Sequence, residues 1–423
     1  MTPRRILIFG PGPRFKGGIA NYTVSLARAL KQYGNAEVHI VSWTQQYPSI
    51  IPRDFFDRES RKDLLEGTGI TVKYITNYNN PFSWKSTYEY IRDWNPDMVI
   101  FQWAITLQGF PIGYISKKLT RHKEIEQVFV LHNVQQKEAS RIDRLGTRCG
   151  LKYGHTFVVL SYPNARELQQ MFPELKFTLT ENGERARDGS RTILKLFHPV
   201  YDIFTPHPDF DAEKFKAELG LKKHVFLFFG FIRKYKGLHY AIRAFARVVQ
   251  RRKDVSLLIV GESFWKTLPD TFSARLKKTL FCLAQTLLVK NKSNEQDYRP
   301  LQLIKQLHLE KDVVVVNRFV PNEEVYKYFQ VADALLNFYT TSAPSGVESI
   351  AYNFALPVIA TRVGHYMETI QEGYNGYLAQ PGNIESMAEQ MIRLIDHPID
   401  RNHVKETARK YSWENYVRLL LNR

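Results

Sequence analysis

A chain of 423 residues exceeds what one ordinary hydrophobic core supports and implies two domains. Its composition, 44% hydrophobic and 24% charged, excludes wholesale disorder, and no apolar run approaches the roughly 18 residues of a membrane span. The formal charge of +17 favours anionic partners, yet the basic residues are dispersed through segments such as "KKLTRHKE" and "RLKK" without a nucleic-acid module, so nucleic acid is not expected as a partner.

The first residues, "MTPRRILIFG", enter a strand-like segment without a long apolar signal core, which makes the cytoplasm the expected location. Cys149 and Cys282 are far apart and suggest neither a disulfide framework nor a zinc knuckle. The first strand runs into "GPGPRFKGGIANYTVSLARAL". There Gly17 and Gly18 stand directly before a helix whose apolar positions include Ile19, Tyr22, Leu26 and Leu30. Glycines at a helix start let an anion approach open backbone N–H groups, although a tight turn without a ligand uses the same residues.

Further Val-, Ile-, Leu- and Phe-rich runs follow: "AEVHIVSW", "ITVKYIT", "DMVIFQW", "EQVFVLHN" and "TFVVLS". Without polar alternation they read as strands buried on both faces, hence parallel sheets covered by helices. His132 and Asn133 come just after one of these strands, where a polar side chain faces a ligand crevice or, for a lone histidine, is satisfied in the core. Between about Phe177 and Glu213 the alternation is interrupted. "ENGERARDGSRT" reads as a loop and the proline-rich "HPVYDIFTPHPDF" as a linker between domains.

The second half repeats the pattern with "HVFLFFGF", "VSLLIVG", "DVVVVN", "ADALLNFY" and "PVIATRV", giving a second doubly wound sheet. Its first strand-to-helix turn, "FGFIRKYKGL", places Arg233 and Lys236 near the strand's carboxyl end, suited to a diphosphate. Between Phe272 and Lys292, apolar residues Phe272, Leu276, Leu280, Leu283 and Leu287 recur at helical spacing among Arg275, Lys277, Lys278 and Lys290. That pattern fits a helix lying on an anionic membrane surface or one docked on the core. In "YTTSAPSGVESIAYNFALP", Ser345 and Gly346 precede Glu348, whose carboxylate can accept two hydrogen bonds from vicinal hydroxyls. Glutamate in a first helical turn is favourable without a ligand too. Ser412 is a plausible N-cap for a last helix with Tyr416, Leu419 and Leu420 on its apolar face.

The ordered set "GGIANYTVSLARAL", "VLHNV", "HPVYD", "FFGFIRKYKGL", "VNRFVPNEEVYKYFQVADALLNFY", "SGVESIAYNFALPVIATRVGHYMETI" and "ARKYSWENY" resembles, nearly end to end, the retaining glycosyltransferases of the GT-B fold, family 4. The resemblance implies two Rossmann-like domains facing a central cleft. The N-terminal domain, residues 1–200, is then the acceptor side, and residues 201–405 bind the nucleotide sugar. Residues 406–423 cross back onto the first domain. It implies transfer of a sugar from a nucleotide-diphosphate donor to a saccharide acceptor, and a membrane-lying helix at 272–292 together with the +17 charge suggests that the acceptor is lipid-linked, as in cell-surface polysaccharide synthesis. Cofactors and resident metals are not expected, and no Asp-x-Asp pair is assigned to a cation.

By the same resemblance Glu348 binds ribose hydroxyls, Lys236 the diphosphate, Gly17 and Gly18 the phosphates, and His132 lies near the donor sugar. Thr340 stands where the family's first signature glutamate falls, with Ser345 and Gly346 binding in its place. The family's arginine aligns nearer Phe231, so Arg233 substitutes from a shifted position. A catalytically silent scaffold that binds nucleotide or partner proteins is the alternative reading.

Overall fold

The computed structural model describes residues 3–48, 51, 54–134, 141–263, 298–341 and 346–422. The segment 272–292 and Ser345 therefore lie outside the described residues.

The chain forms two parallel sheets with helices on their faces. The first contains β1 (Arg4–Phe9), β2 (Ala36–Gln45), β3 (Thr71–Asn77), β4 (Met98–Trp103), β5 (Glu126–Leu131), β6 (Thr156–Val159), β7 (Phe177–Thr180) and β8 (Arg191–Lys195). Their order is β3-β2-β1-β4-β5-β6-β8-β7. Around them run α1 (Gly18–Tyr33), α2 (Pro81–Trp94), α3 (Gly109–Leu119), α4 (Arg141–Leu151) and α5 (Tyr162–Met171). The second sheet contains β9 (His224–Phe229), β10 (Val255–Val260), β11 (Val313–Val316), β12 (Ala334–Asn337), β13 (Val358–Thr361) and β14 (Gly376–Ala379), in the order β11-β10-β9-β12-β13-β14. Its helices are α6 (Ala212–Leu219), α7 (Leu238–Arg251), α8 (Gln302–Gln306), α9 (Val325–Gln330), α10 (Gly346–Asn353), α11 (Tyr366–Thr369), α12 (Ile384–Asp396), α13 (Arg401–Lys410) and α14 (Trp413–Leu421).

All six residues of β4 and of β10 are buried, which is why these strands read as unbroken apolar runs. The segment expected to interrupt the alternation instead contributes β7 and β8. "RTILK" buries its three central residues and pairs in parallel with β6, while β7 forms the sheet's outer edge. The short β14 was likewise not expected. It buries all four residues, one of them a glycine whose Cβ would stand 2.2 Å from the Val358 carbonyl.

In each sheet the strand order reverses beside the first strand, between β1 and β4 and between β9 and β12. Open α/β sheets bind ligands outside the strand carboxyl ends at such a reversal. Those two ends lie on a common cleft. The halves are joined by short contacts: Lys195 Nζ lies 3.2 Å from Glu368, Val200 N–H donates to the Tyr411 carbonyl at 2.9 Å, and His198 Nδ1 is 2.7 Å from Ser349 Oγ. The last helix, α14, packs on α1 of the first sheet, where the Tyr22 hydroxyl donates to that of Tyr416 at 2.7 Å.

Candidate functional site

The N-terminal wall of the cleft is built from the turns after β1 and β4. Gly10 follows β1, and a Cβ there would stand 2.7 Å from Gln102 Cγ, so glycine lets Gln102 lie across the end of the neighbouring strand. Gly17 then caps α1 with φ 111° and ψ 171°, a conformation that side chains rarely adopt, and nothing surrounds its Cβ position within 4 Å. It makes no side-chain cap, so the first N–H groups of α1 open toward the cleft with the positive end of the helix dipole. The Gly18 carbonyl accepts a 2.7 Å hydrogen bond from the Tyr201 hydroxyl.

The opposing wall is the turn after β9. Gly230 has φ 97°, and a Cβ would come within 2.9 Å of Lys236 Nζ. Glycine therefore lets the ammonium fold back over the strand end, where Lys236 is only 8% exposed and its Nζ sits 5.8 Å from the centre of the Tyr339 ring. Arg233 begins the single 3-10 turn Lys234–Lys236, with its guanidinium 5.4 Å from the Tyr235 ring. Gly237 closes the turn at φ 70°, and a Cβ there would lie 1.9 Å from the Phe338 carbonyl oxygen.

Between these walls lies a cavity lined by Lys16, Gly17, Gly18, Gln46, Gln102 and Gln108 on one side and by Phe231 on the other. Lys16 bridges the halves: its Nζ lies 3.4 Å from Glu59 and 4.4 Å from the centre of the Phe319 ring. Nearby, Asn322 N–H donates to Ser60 Oγ and Arg61 N–H to Glu323 Oε1, each at 3.0 Å.

His132 lies behind the N-terminal wall. Its Nε2–H donates to Gln102 Oε1 at 2.7 Å, leaving the lone pair on Nδ1, and the Tyr22 ring meets it edge-on at 4.8 Å. Burial, with the charge of His198 as a second cause, lowers its pKa to about 3, so the ring is neutral. Burial likewise lowers His198 to about 4.

Glu348 is 4% exposed and inward-facing. Its Oε1 accepts from Thr369 Oγ1 at 2.6 Å and from the Tyr352 hydroxyl at 3.0 Å, and Oε2 accepts from His365 Nε2 at 2.6 Å. Burial raises the carboxyl, but His365 and the hydrogen bonds from His365, Thr369 and Tyr352 outweigh it and hold the pKa below the usual value. A small cavity beside it is lined by His198, Ser349, His365 and Tyr411, at the junction of the two halves. The structure thus groups Glu348 with His198 and His365, whereas Gly17 and Gly18 share the main cavity with the loop that leads to Arg233 and Lys236.

Gly346, at the start of α10, would place a Cβ 2.5 Å from Tyr201 Cε2, so one tyrosine of the linker touches the starts of both α1 and α10. Thr340 is exposed, and its N–H donates to the Tyr235 carbonyl at 2.8 Å. The chain contains one Asp-x-Asp, Asp209-Phe210-Asp211. Asp211 caps α6 by accepting from Lys214 N–H at 2.9 Å, a role in the fold away from the cavity-lining residues. Among the described residues no cluster of three metal-ligating side chains occurs. Sequence reasoning missed Gln102 and Gln108. The one signal for Gln102 was its place at the carboxyl end of a strand next to the reversal.

Residues 209–411 match the family of glycosyl transferases group 1. The matched segment is 203 of the chain's 423 residues and spans the second sheet and its helices α6 to α13. Among curated relatives, spore coat protein SA of Bacillus subtilis (strain 168) is 24% identical over 251 residues, 56% of this chain and 58% of its own length. N-acetyl-alpha-D-glucosaminyl L-malate synthase of Bacillus anthracis is 27% identical over 209 residues, 49% of this chain and 45% of its own. The capsular polysaccharide biosynthesis glycosyltransferase CapM of Staphylococcus aureus is 24% identical over 181 residues, 43% and 39%. The chain spans about half the length of the curated relatives it matches. The crystal structure of Anabaena Alr3699/HepE in complex with UDP superposes with a TM-score of 0.64 at 16% identity, over 98% of this chain and 97% of that one. The apo lipopolysaccharide outer core galactosyltransferase WaaB gives a TM-score of 0.59 at 14% identity, over 98% and 99%. These likenesses establish the GT-B fold.

Proposed function

We propose that this protein is a group 1 glycosyltransferase that moves a glycosyl group from a nucleotide-diphosphate sugar to a saccharide acceptor, with retention at the anomeric carbon. The observation that carries the reading is the facing of two glycine turns across one cleft: the open start of α1 at Gly17 and Gly18, and the Gly230–Gly237 loop with its buried Lys236. As the anomeric bond breaks, negative charge builds on the departing diphosphate. Lys236, Arg233 and the N–H groups of α1 stabilise it in a site shielded from water. The acceptor hydroxyl attacks the same face and passes its proton to the leaving phosphate oxygen, so no pair of carboxylates is required. His132, neutral and held by Gln102, offers its Nδ1 lone pair to a sugar hydroxyl.

The role of CapM in capsular polysaccharide biosynthesis supports a growing cell-surface saccharide as acceptor, lipid-linked at the cytoplasmic face of a membrane. The +17 charge suits an anionic bilayer, and no described helix is long and apolar enough to cross one. A silent nucleotide-binding scaffold is the second reading, favoured by the internal engagement of Glu348 and the threonine at 340. Screening UDP- and GDP-sugars separates the two. An enzyme melts at a higher temperature with its donor and turns it over, whereas a scaffold is stabilised without turnover. No stabilisation by any nucleotide contradicts both.

A further inference from the structure

Two amide NH2 groups in the main cavity have no role in the donor chemistry. Gln102 and Gln108 are 1% and 2% exposed, and both line the β4 side of the cleft. Gln102 Oε1 is committed to His132 at 2.7 Å, but neither Gln102 Nε2 nor Gln108 Nε2 has a hydrogen-bond partner among the described residues. A buried donor left unmade is costly, and two in one wall point to a ligand that completes them. The charge of the cavity is also one-sided. Lys16 adds an ammonium, 3.4 Å from the partly exposed Glu59, and no carboxylate is among the lining residues. A neutral sugar's hydroxyls donate as well as accept, and none of the lining residues offers them a carboxylate. Ionised oxygens only accept, and amide and ammonium donors satisfy them fully.

Resting on the glycosyltransferase reading, we propose that this wall is a specificity subsite for an oxyanion on the acceptor: a sugar carboxylate or a sugar phosphate. The oxyanion accepts from Gln102 Nε2, with Gln102 Oε1 kept on His132, and from Gln108 Nε2, whose amide turns about its last side-chain bond to meet it, while Lys16 supplies the charge. The α1 N–H groups remain for the donor's diphosphate, so both anions fit in the cleft together. Because Gln102 also holds His132, an acceptor seated on this amide fixes the orientation of the His132 ring toward the donor sugar.

The test is calorimetry on the full chain saturated with UDP or GDP, whichever binds, using glucuronate, glucose 6-phosphate and glucose as probes. At least one anionic probe binds tenfold or more tightly than glucose, and the stronger of the two identifies carboxylate or phosphate as the natural oxyanion. Gln108→Glu, the same shape with a negative charge, weakens that probe at least tenfold and leaves nucleotide affinity within twofold. Gln102→Met weakens it as well and in addition lowers the pKa of His132 further, because the ring N–H loses its acceptor, read from the ring's NMR titration. Glucose binding as tightly as both anions overturns the subsite, as does an absence of binding by all three probes. Anion affinity unchanged in both variants, with melting temperatures near wild type, overturns it too. Loss of nucleotide binding in the unmodified chain contradicts the glycosyltransferase reading instead, so the two failures are distinct.

Discussion

The two halves of the cleft use glycine for different physical reasons. At Gly237 the residue is forced by packing as well as by φ, because a Cβ would stand 1.9 Å from the Phe338 carbonyl oxygen. At Gly17 only the backbone conformation demands it, since nothing lies within 4 Å of the Cβ position. One turn is therefore locked into its own domain and presents a fixed buried cation, Lys236. The other borders open space, which a ligand can enter. A phosphate-binding cleft gains from this asymmetry: a rigid charge on one wall and approachable N–H groups on the other.

Substitutions at these glycines break the comparison most strongly. Gly237→Ala forces a backbone shift at a left-handed position and destabilises the C-terminal domain by more than about 3 kcal/mol in denaturant unfolding. Gly17→Ala costs roughly 1–3 kcal/mol of backbone strain, with no collision to add. Equal losses at the two positions would remove the distinction. Lys236→Ala lowers turnover about 10²–10³-fold while lowering the melting temperature less than Gly237→Ala does. A parallel loss of stability and activity makes it a structural lysine.

Glu348→Gln sharpens the boundary between site and scaffold. A ribose held by both carboxylate oxygens has to displace Thr369 or Tyr352 from Oε1, which already accepts two hydrogen bonds. Nucleotide affinity lowered by roughly 1.5–3 kcal/mol with unchanged melting marks a contact with ligand, while lowered melting with unchanged affinity marks an internal brace.

The smallest effect concerns pH. His132 and His198 have pKa values lowered from 6.5 to about 3 and about 4, so below pH 6.5 the unfolded chain takes up protons that the folded chain refuses. Stability therefore falls as pH drops from 6.5 toward 4, by about 1–2 kcal/mol per histidine at pH 5. His198→Gln flattens that slope in melting curves recorded from pH 7 to pH 5. An unchanged slope contradicts the neutral buried state.

The alternation of apolar runs made most of the two sheets legible in the sequence, because strands buried on both faces leave an uninterrupted signature. β8 escaped because its three buried residues are flanked by the polar "ARDGS", and β14 because four residues with a glycine carry too little pattern. The glycine turns and Lys236 were readable as strand-to-helix punctuation. Glu348 was readable as a first-turn glutamate, but not its partner His365, 17 residues away, since only tertiary packing of α11 on α10 brings them together. The buried amides of Gln102 and Gln108 give no local signal, because glutamine at a strand end or in a short turn is unremarkable until its surroundings are known.

The most direct measurement is a crystal structure of the chain with its nucleotide sugar bound. This account predicts the diphosphate between the two walls, with Gly17 or Gly18 N–H on one side and Lys236 Nζ on the other, each within hydrogen-bond distance. A diphosphate bound outside the cleft, with Lys236 still folded against Gly230 and touching no ligand oxygen, would contradict it.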